Sequence, residues 1–241
     1  MSANNPPLQI QQQLRKEALY GCVLCGCPIL QYTHIIPYSD DIHAFLPENM
    51  VVLCPFHYDG YSKREVTESA LREAKSNPFN KLHEQDAFIV SSQQDMVVNI
   101  GKCKFVNTPR ILVIDDFDII SIKREGGKYI LLDINFFDKL NNLIAIVSEN
   151  GWTAEKSSRD WSIGYKTKCL TIQNQAKNII FEAKIQNVNN EITINADGMY
   201  YNQSPIKITE NQILLNNEEI AIDLKGTELR NYEVGIVAET V

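Results

Sequence analysis

Two pairs of metal-ligating side chains lie in the first quarter of the chain. Cys22-Val-Leu-Cys25 and Cys54-Pro-Phe-His57 each separate two ligands by two residues, and a tight turn of this length can direct both side chains at one ion. Together they offer three thiolates and one imidazole, a donor set typical of a closed structural zinc site. The spacing predicts zinc bound by all four residues; buried thiols beside an unrelated histidine are the alternative.

The other three cysteines are not needed as ligands of this ion. Of the six cysteines, four lie between residues 22 and 54, and in a reducing compartment such a cluster favours metal over disulfides. Cys27 is a spare thiol that could compete with Cys25 for the ion. Cys103 and Cys169 lie among β-type segments, and we expect them in the core.

The segment between the two ligand pairs carries a second pattern. Thr33-His34-Ile35-Ile36-Pro37 is followed by Pro47-Glu48-Asn49 and then by the apolar run that leads to Cys54-Pro-Phe-His57. With the upstream helix and Tyr20-Gly21-Cys22, this arrangement resembles the zinc-containing members of the HNH (ββα-metal) endonuclease family. The resemblance covers roughly residues 10–65.

The resemblance implies a role for each matching residue. His34 matches the general base, and a neutral imidazole is suited to take a proton from an attacking water. Asn49 matches the central asparagine, whose amide would brace the loop that orients this histidine. In the family, one Mg²⁺ or Mn²⁺ ion polarises the phosphate and stabilises the leaving oxygen.

Two positions depart from the family pattern. Active members commonly carry an acidic residue or histidine before the general base and a histidine after the second ligand pair, whereas this chain has Thr33 and Tyr58. Neither hydroxyl is a good ligand for a hard divalent cation. Asp59 is a nearby candidate ligand, and Tyr58 and Thr33 themselves are the other two candidates at these positions. Further substitutes, for which a polar or exposed loop is the alternative, are Asp40, Asp41 and His43.

Basic residues near this motif could contact phosphate groups. Arg15 and Lys16 lie on the first predicted helix, and Lys63 and Arg64 follow the second ligand pair. The alternative is that they belong to solvated helix faces. The net charge of −7 argues against a large non-specific nucleic-acid binder, because phosphate contacts dominate such binding. Any DNA contact must come from these local groups.

Short helices and strands must position the two ligand pairs and His34. Helix formers over residues 8–20, followed by Gly21, predict a helix. Residues 29–36 and 49–54 are apolar enough to form two strands. Residues 63–75 predict another helix, with Val66, Ala70 and Leu71 on one side.

The pattern changes after Pro78. From about residue 87 the chain becomes a succession of short β-type runs separated by turn pairs such as Gly126-Gly127 and Asn150-Gly151, which is typical of an all-β sandwich, barrel or solenoid. We therefore predict an α+β protein. Residues 1–80 would form a small zinc-stapled ββα-metal domain, and residues 81–241 a mainly antiparallel β domain.

The leading hypothesis is a metal-dependent endonuclease that hydrolyses DNA, such as a restriction or phage-defence effector. The β domain would recognise a target or a protein partner. The alternative is an HNH fold without its catalytic ion, acting as a DNA- or protein-binding subunit. No apolar run reaches the roughly 20 residues needed to cross a bilayer, and the polar N-terminus does not resemble a signal peptide. We therefore expect a cytoplasmic protein without membrane contact; the oligomeric state is left open.

Overall fold

The fold was obtained as a computed structural model. It describes residues 6–35, 45–155, 158, 161–186, 191–210, 212–215, 218–219 and 226–239. The chain divides into two compact units, the first comprising residues 1–88 with 151–153 and the second residues 89–150 with 154–241. The predicted boundary after residue 80 falls inside a short helix of the first unit.

The first unit contains helices and a two-stranded sheet. Its elements in chain order are α1 (Leu8–Glu17), β1 (Gln31–His34), a 3-10 turn (Pro47–Asn49), β2 (Met50–Leu53), α2 (Pro55–Ser62), α3 (Glu68–Ser76), α4 (Phe79–Leu82) and a second 3-10 turn (Glu84–Asp86). β1 and β2 are antiparallel, with His34 opposite Met50. β2 is buried along its whole length, so this small sheet forms the core beside the motif.

The helix ends differ from the predicted ones for local reasons. α1 ends at Glu17 because Leu19 and Tyr20 adopt left-handed conformations, with φ of 51° and 57°. α3 begins after Thr67, whose hydroxyl accepts a hydrogen bond from the Ala70 amide at 3.2 Å. Such a side-chain cap sets the first turn of a helix. Residues 63–66 therefore precede α3 instead of opening it.

The second unit consists of β-strands. The strands from residue 97 onward are β3 (Val97–Ile100), β4 (Cys103–Val106), β5 (Arg110–Ile114), β6 (Phe117–Glu125), β7 (Tyr129–Phe137), β8 (Leu143–Ser148), β9 (Gly151–Ala154, of which 151–153 belong to the first unit), β10 (Ser162–Lys166), β11 (Cys169–Gln173), β12 (Ile179–Gln186), β13 (Glu191–Tyr201), β14 (Ser204–Ile208), β15 (Ile213–Leu215), β16 (Glu218–Glu219), β17 (Glu228–Arg230) and β18 (Val234–Ala238).

The main sheet of this unit runs in the order β10-β11-β12-β13-β7-β6-β5-β18. Neighbouring strands are mostly antiparallel, but β13 pairs with β3, β17 with β4 and β18 with β5 in parallel. Alternate residues of β11 and β13 are buried, which is the pattern of strands with one face on a core. The prediction of a mixed α+β protein that is mostly β-sheet is confirmed. Among the described residues, no helix combines the length and apolar character that a membrane span requires.

Candidate metal centre

The four predicted zinc ligands lie together in the first unit. The Sγ atoms of Cys22, Cys25 and Cys54 and a ring nitrogen of His57 all lie within 4.8 Å of one another. Within the part of the chain that the structure describes, this is the one group of three or more such residues. The cysteines and the histidine can therefore hold a metal ion.

The separations between ligand atoms fit tetrahedral zinc. The Cys25 and Cys54 sulfurs are 3.7 Å apart, and His57 Nδ1 lies 3.5 Å from Cys22 Sγ and 3.3 Å from Cys54 Sγ. Tetrahedral geometry with ordinary zinc–sulfur and zinc–nitrogen bonds requires about 3.8 Å between sulfurs and about 3.6 Å between sulfur and nitrogen. The donor set and its geometry both suit a structural zinc ion.

Backbone hydrogen bonds form the first ligand pair into a turn. The Cys22 carbonyl accepts from the Cys25 and Gly26 amides, at 3.3 and 2.8 Å, and the Cys22 amide donates to the Cys27 carbonyl at 2.8 Å. Gly26 has φ of 73°, a left-handed conformation that glycine adopts without steric cost. This turn directs both sulfurs to the same side.

The second ligand pair is set by the start of α2. Cys54 precedes the helix, Pro55 occupies its first turn, and the Tyr58 amide donates to the Cys54 carbonyl at 2.8 Å. Proline is favoured there because its missing N–H has no partner in a first turn. His57 in the same turn is thereby brought next to the Cys54 sulfur.

Crowding at the cluster shifts the pKa values of Cys22, Cys54 and His57. Hydrogen bonds from Cys22, Cys25 and Cys27 hold the pKa of Cys54 far below its usual range. Hydrogen bonding to Cys25, and then to Cys54, raises the pKa of His57 to about 10. Burial raises the pKa of Cys22 well above its usual value. Negative charge concentrates on Cys54, and a cation at this point would stabilise it.

Asn80 packs against the first ligand turn and was not predicted from the sequence. Its side chain is buried, and Nδ2 donates to the Leu19 carbonyl at 3.0 Å. The Phe79 amide donates to the Val23 carbonyl at 2.9 Å. α4 therefore closes over the turn, and Gly21 and Gly26 leave the room that it needs. These two glycines were the available signal in the sequence.

We expect Gly26→Ala to destabilise the first unit by roughly 1–3 kcal/mol, because alanine would be forced into a left-handed conformation. The added Cβ would also lie 2.4 Å from Asn80 Oδ1 and 2.8 Å from Phe79 Cδ1. Gly126→Ala is the matched control, since its φ is 55° but its Cβ would meet only Tyr129, at 3.7 Å. Denaturant unfolding measures both; equal losses would show that the collision with α4 contributes nothing.

The predicted general base lies at the end of β1. His34 is half-buried, and its ring stacks on Phe45 with centroids 6.0 Å apart. Thr33, one residue earlier, belongs to the opposite face of the strand, because successive strand side chains alternate. Its hydroxyl contacts the His34 carbonyl at 3.4 Å. Thr33 and His34 therefore do not face one point.

Asn49 contacts this strand end through its backbone. The Ile35 amide donates to the Asn49 carbonyl at 2.8 Å, and Ile35 is fully buried. Among the described residues, the Asn49 side-chain amide has no hydrogen-bond partner. The contact of Asn49 with this strand end is therefore made by its main-chain carbonyl.

The candidates on α2 face different directions. Asp59 forms an ion pair with Lys63 at 2.6 Å, and both side chains are more than 60% exposed. At 100° per residue, Asp59 is turned about 200° from His57 around the helix. Tyr58 is exposed. Tyr61, one turn after His57, donates from its hydroxyl to the Ile35 carbonyl at 2.5 Å.

Thr33, Tyr58 and Asp59 thus do not form a set of ligands for a hard divalent cation, which prefers several oxygens around one point. The other candidates, Asp40, Asp41 and His43, lie outside the described residues.

The four basic candidates are not equivalent. Arg15 is 2% exposed, and its guanidinium donates to the Tyr32 hydroxyl at 2.7 Å, so it supports β1 from within and lacks the surface position that a phosphate contact needs. Lys16 is exposed. Lys63 pairs with Asp59, which raises the pKa of Lys63. Arg64 is exposed just after α2, with φ of 64°.

Cys27 lies beside the cluster but is not one of its four ligands. It is buried, and its thiol donates to the Ile29 carbonyl at 3.9 Å. Interaction with Cys54, followed by burial, raises the pKa of Cys27 well above its usual value.

In comparisons with known proteins, no family model, no curated protein and no solved structure matches this chain. The interpretation of the site therefore depends on its own residues.

Proposed function

We propose that residues 22–62 form a zinc-stapled ββα module of the HNH kind that hydrolyses phosphodiester bonds in DNA. One observation carries the proposal. His34 ends β1, its antiparallel partner β2 leads directly into α2, and the zinc ligands bracket both strands. This is the order of elements and of chemical groups that the family resemblance predicts.

The chemistry proposed for this chain is proton transfer. The His34 imidazole, held at a strand end, would take the proton from a water molecule that attacks the phosphorus. Tyr32 and Met50 support the strand that carries it, through the Arg15 hydrogen bond and the antiparallel pairing. Zinc would hold β2 and α2 in place. A divalent ion bound with the substrate would polarise the phosphate.

The substrate would contact Lys16 and Arg64, the exposed candidates without an ion-pair partner among the described residues. The β-rich unit would then recognise a DNA target or a protein partner, in keeping with a restriction or phage-defence effector. The net charge of −7 favours help from such a partner, because an acidic protein binds DNA weakly by itself.

A second function is favoured by a specific observation. Asp59 is engaged by Lys63 on the far side of α2, and Thr33 belongs to the opposite face of β1 from His34. Both features favour an HNH module that has lost its catalytic ion and serves as a zinc-stabilised DNA- or protein-binding subunit.

The experiment that separates the two functions measures binding and cleavage on the same labelled duplex. The purified zinc-loaded chain is titrated into the duplex with Ca²⁺, and separately incubated with Mg²⁺ and with Mn²⁺. The nuclease predicts shortened products in Mg²⁺ or Mn²⁺. A retarded but intact duplex under all three conditions would reject the nuclease and support the binding subunit.

A further inference from the structure

Ile35, the residue that follows His34, is held by the packing of its side chain and by hydrogen bonds of its amide and its carbonyl. The Ile35 side chain is fully buried, its amide donates to the Asn49 carbonyl at 2.8 Å, and its carbonyl accepts from the Tyr61 hydroxyl at 2.5 Å. β1 ends at His34, so the strand ladder does not satisfy this carbonyl. Leaving a buried carbonyl unpaired is unfavourable, and Tyr61 supplies the donor.

Tyr61 belongs to the helix that zinc would anchor. It follows His57 by four residues on α2, and residues at this spacing share one helix face. Gly60, between them, is buried. The metal ligand and the phenol therefore point to the same side of α2, and a helix held at His57 places the Tyr61 hydroxyl at the end of β1.

The Tyr61 hydroxyl must be protonated to donate to the Ile35 carbonyl. Burial, and then the nearby Glu68 carboxylate, raise the pKa of Tyr61 above its usual value. The phenol stays protonated at neutral pH and remains a donor.

We propose that Tyr61 is a positioning residue for His34, through which the zinc-anchored helix α2 sets the orientation of the general base. This inference rests on the proposed function for the role of His34, but the structural link between Tyr61 and the strand end can be measured without catalysis. Neither the metal-ligand spacing nor the HNH resemblance assigned a role to Tyr61.

The test compares Tyr61→Phe with Tyr232→Phe in the full zinc-loaded chain. Tyr61→Phe keeps the ring and removes the donor. Tyr232 lies in the second unit, is exposed, and its hydroxyl has no hydrogen-bond partner among the described residues. The readouts are zinc content, kcat and KM for cleavage of a labelled duplex, and the imidazole Cε1–Hε1 cross-peak of His34 by NMR.

The expected result for Tyr61→Phe is unchanged zinc content, kcat lower by about tenfold, as for loss of one hydrogen bond of about 1.4 kcal/mol, and an unchanged KM. The His34 cross-peak shifts or broadens. Tyr232→Phe behaves as the wild type in every readout. Wild-type kcat in Tyr61→Phe, with an unmoved His34 cross-peak, would overturn the inference.

The cross-peak separates this inference from the proposed function. If the wild type does not cleave, the nuclease proposal fails, while a His34 cross-peak that moves only in Tyr61→Phe still supports the positioning role. An unmoved cross-peak rejects it. Should Tyr61→Phe fail to fold, 3-fluorotyrosine inserted at position 61 keeps ring and hydroxyl but strengthens the donor, and it must also move the His34 cross-peak.

Discussion

Replacing His34 with alanine is expected to reduce the rate of DNA cleavage by about 10²–10⁴-fold, the usual contribution of a general base. The imidazole lies at the end of β1 and outside the metal cluster, so zinc content should not change. Single-turnover cleavage of a labelled duplex, with zinc measured on the same samples, gives the two quantities.

His83→Ala is the matched control for that experiment. His83 also lies in the first unit, stacks on Phe79 with ring centroids 4.0 Å apart, and has no place in the ββα arrangement. Cleavage should survive this change. A His34→Ala variant that cleaves at the wild-type rate would remove His34 from the chemistry, and equal losses in both variants would indicate general damage to the unit.

Replacing Cys54 with serine is expected to abolish zinc binding and to unfold the first unit. Structural zinc binds zinc-finger peptides with about 10–16 kcal/mol at neutral pH, and this energy is folding energy in a small domain. Cys54 is the ligand that contacts both Cys25 and His57, so its loss removes the centre of the cluster. Zinc content by elemental analysis and the thermal unfolding curve report the change.

Cys103→Ser provides the control for the cysteine change. Cys103 is a buried cysteine of the second unit, and burial raises the pKa of its thiol. The variant should keep its zinc, although a buried hydroxyl costs some stability. Retention of zinc by Cys54→Ser would contradict the assigned ligand set.

Lowering the pH should also release the metal. Zinc requires deprotonated thiolates and a neutral imidazole, so protons compete with the ion and the affinity falls as the pH falls. Hydrogen bonding to Cys25 and Cys54 raises the pKa of His57 to about 10, and a protonated ring cannot bind the ion, so protons compete at the imidazole as well. Zinc release monitored with a colorimetric chelator should therefore increase towards lower pH.

The metal centre could be predicted because the two ligands of each pair are close together in the sequence. The separations from Cys22 to Cys25 and from Cys54 to His57 each fit one tight turn, and the structure brings both turns together. The two strands around His34 could also be predicted. Their apolar composition is visible in the chain, and both strands form.

The roles of Arg15 and Asn80 could not be predicted because their partners are distant in sequence. A basic residue on a predicted helix is usually solvated, whereas Arg15 is buried against the hydroxyl of Tyr32, 17 residues away. Asn80 holds the Leu19 carbonyl across 61 residues. Local pattern carries no signal for the Arg15 contact, and for Asn80 the signal is limited to Gly21 and Gly26, which leave room for its side chain.

The strand order of the second unit could not be predicted either, because it also joins residues that are distant in sequence. The β-type runs and turns are visible in the sequence, but the parallel pairing of β13 with β3 joins residues 191–194 to residues 97–100. Such pairings depend on which faces and edges meet after folding, because one strand pattern fits many neighbours.

The most direct test of the account is whether the zinc-loaded wild-type chain converts supercoiled plasmid into relaxed or linear DNA in Mg²⁺ or Mn²⁺. The account predicts conversion that stops when a chelator removes the divalent ions. Plasmid that stays supercoiled in both metals, with zinc bound and the fold intact, would contradict the nuclease and leave the zinc module as a binding subunit.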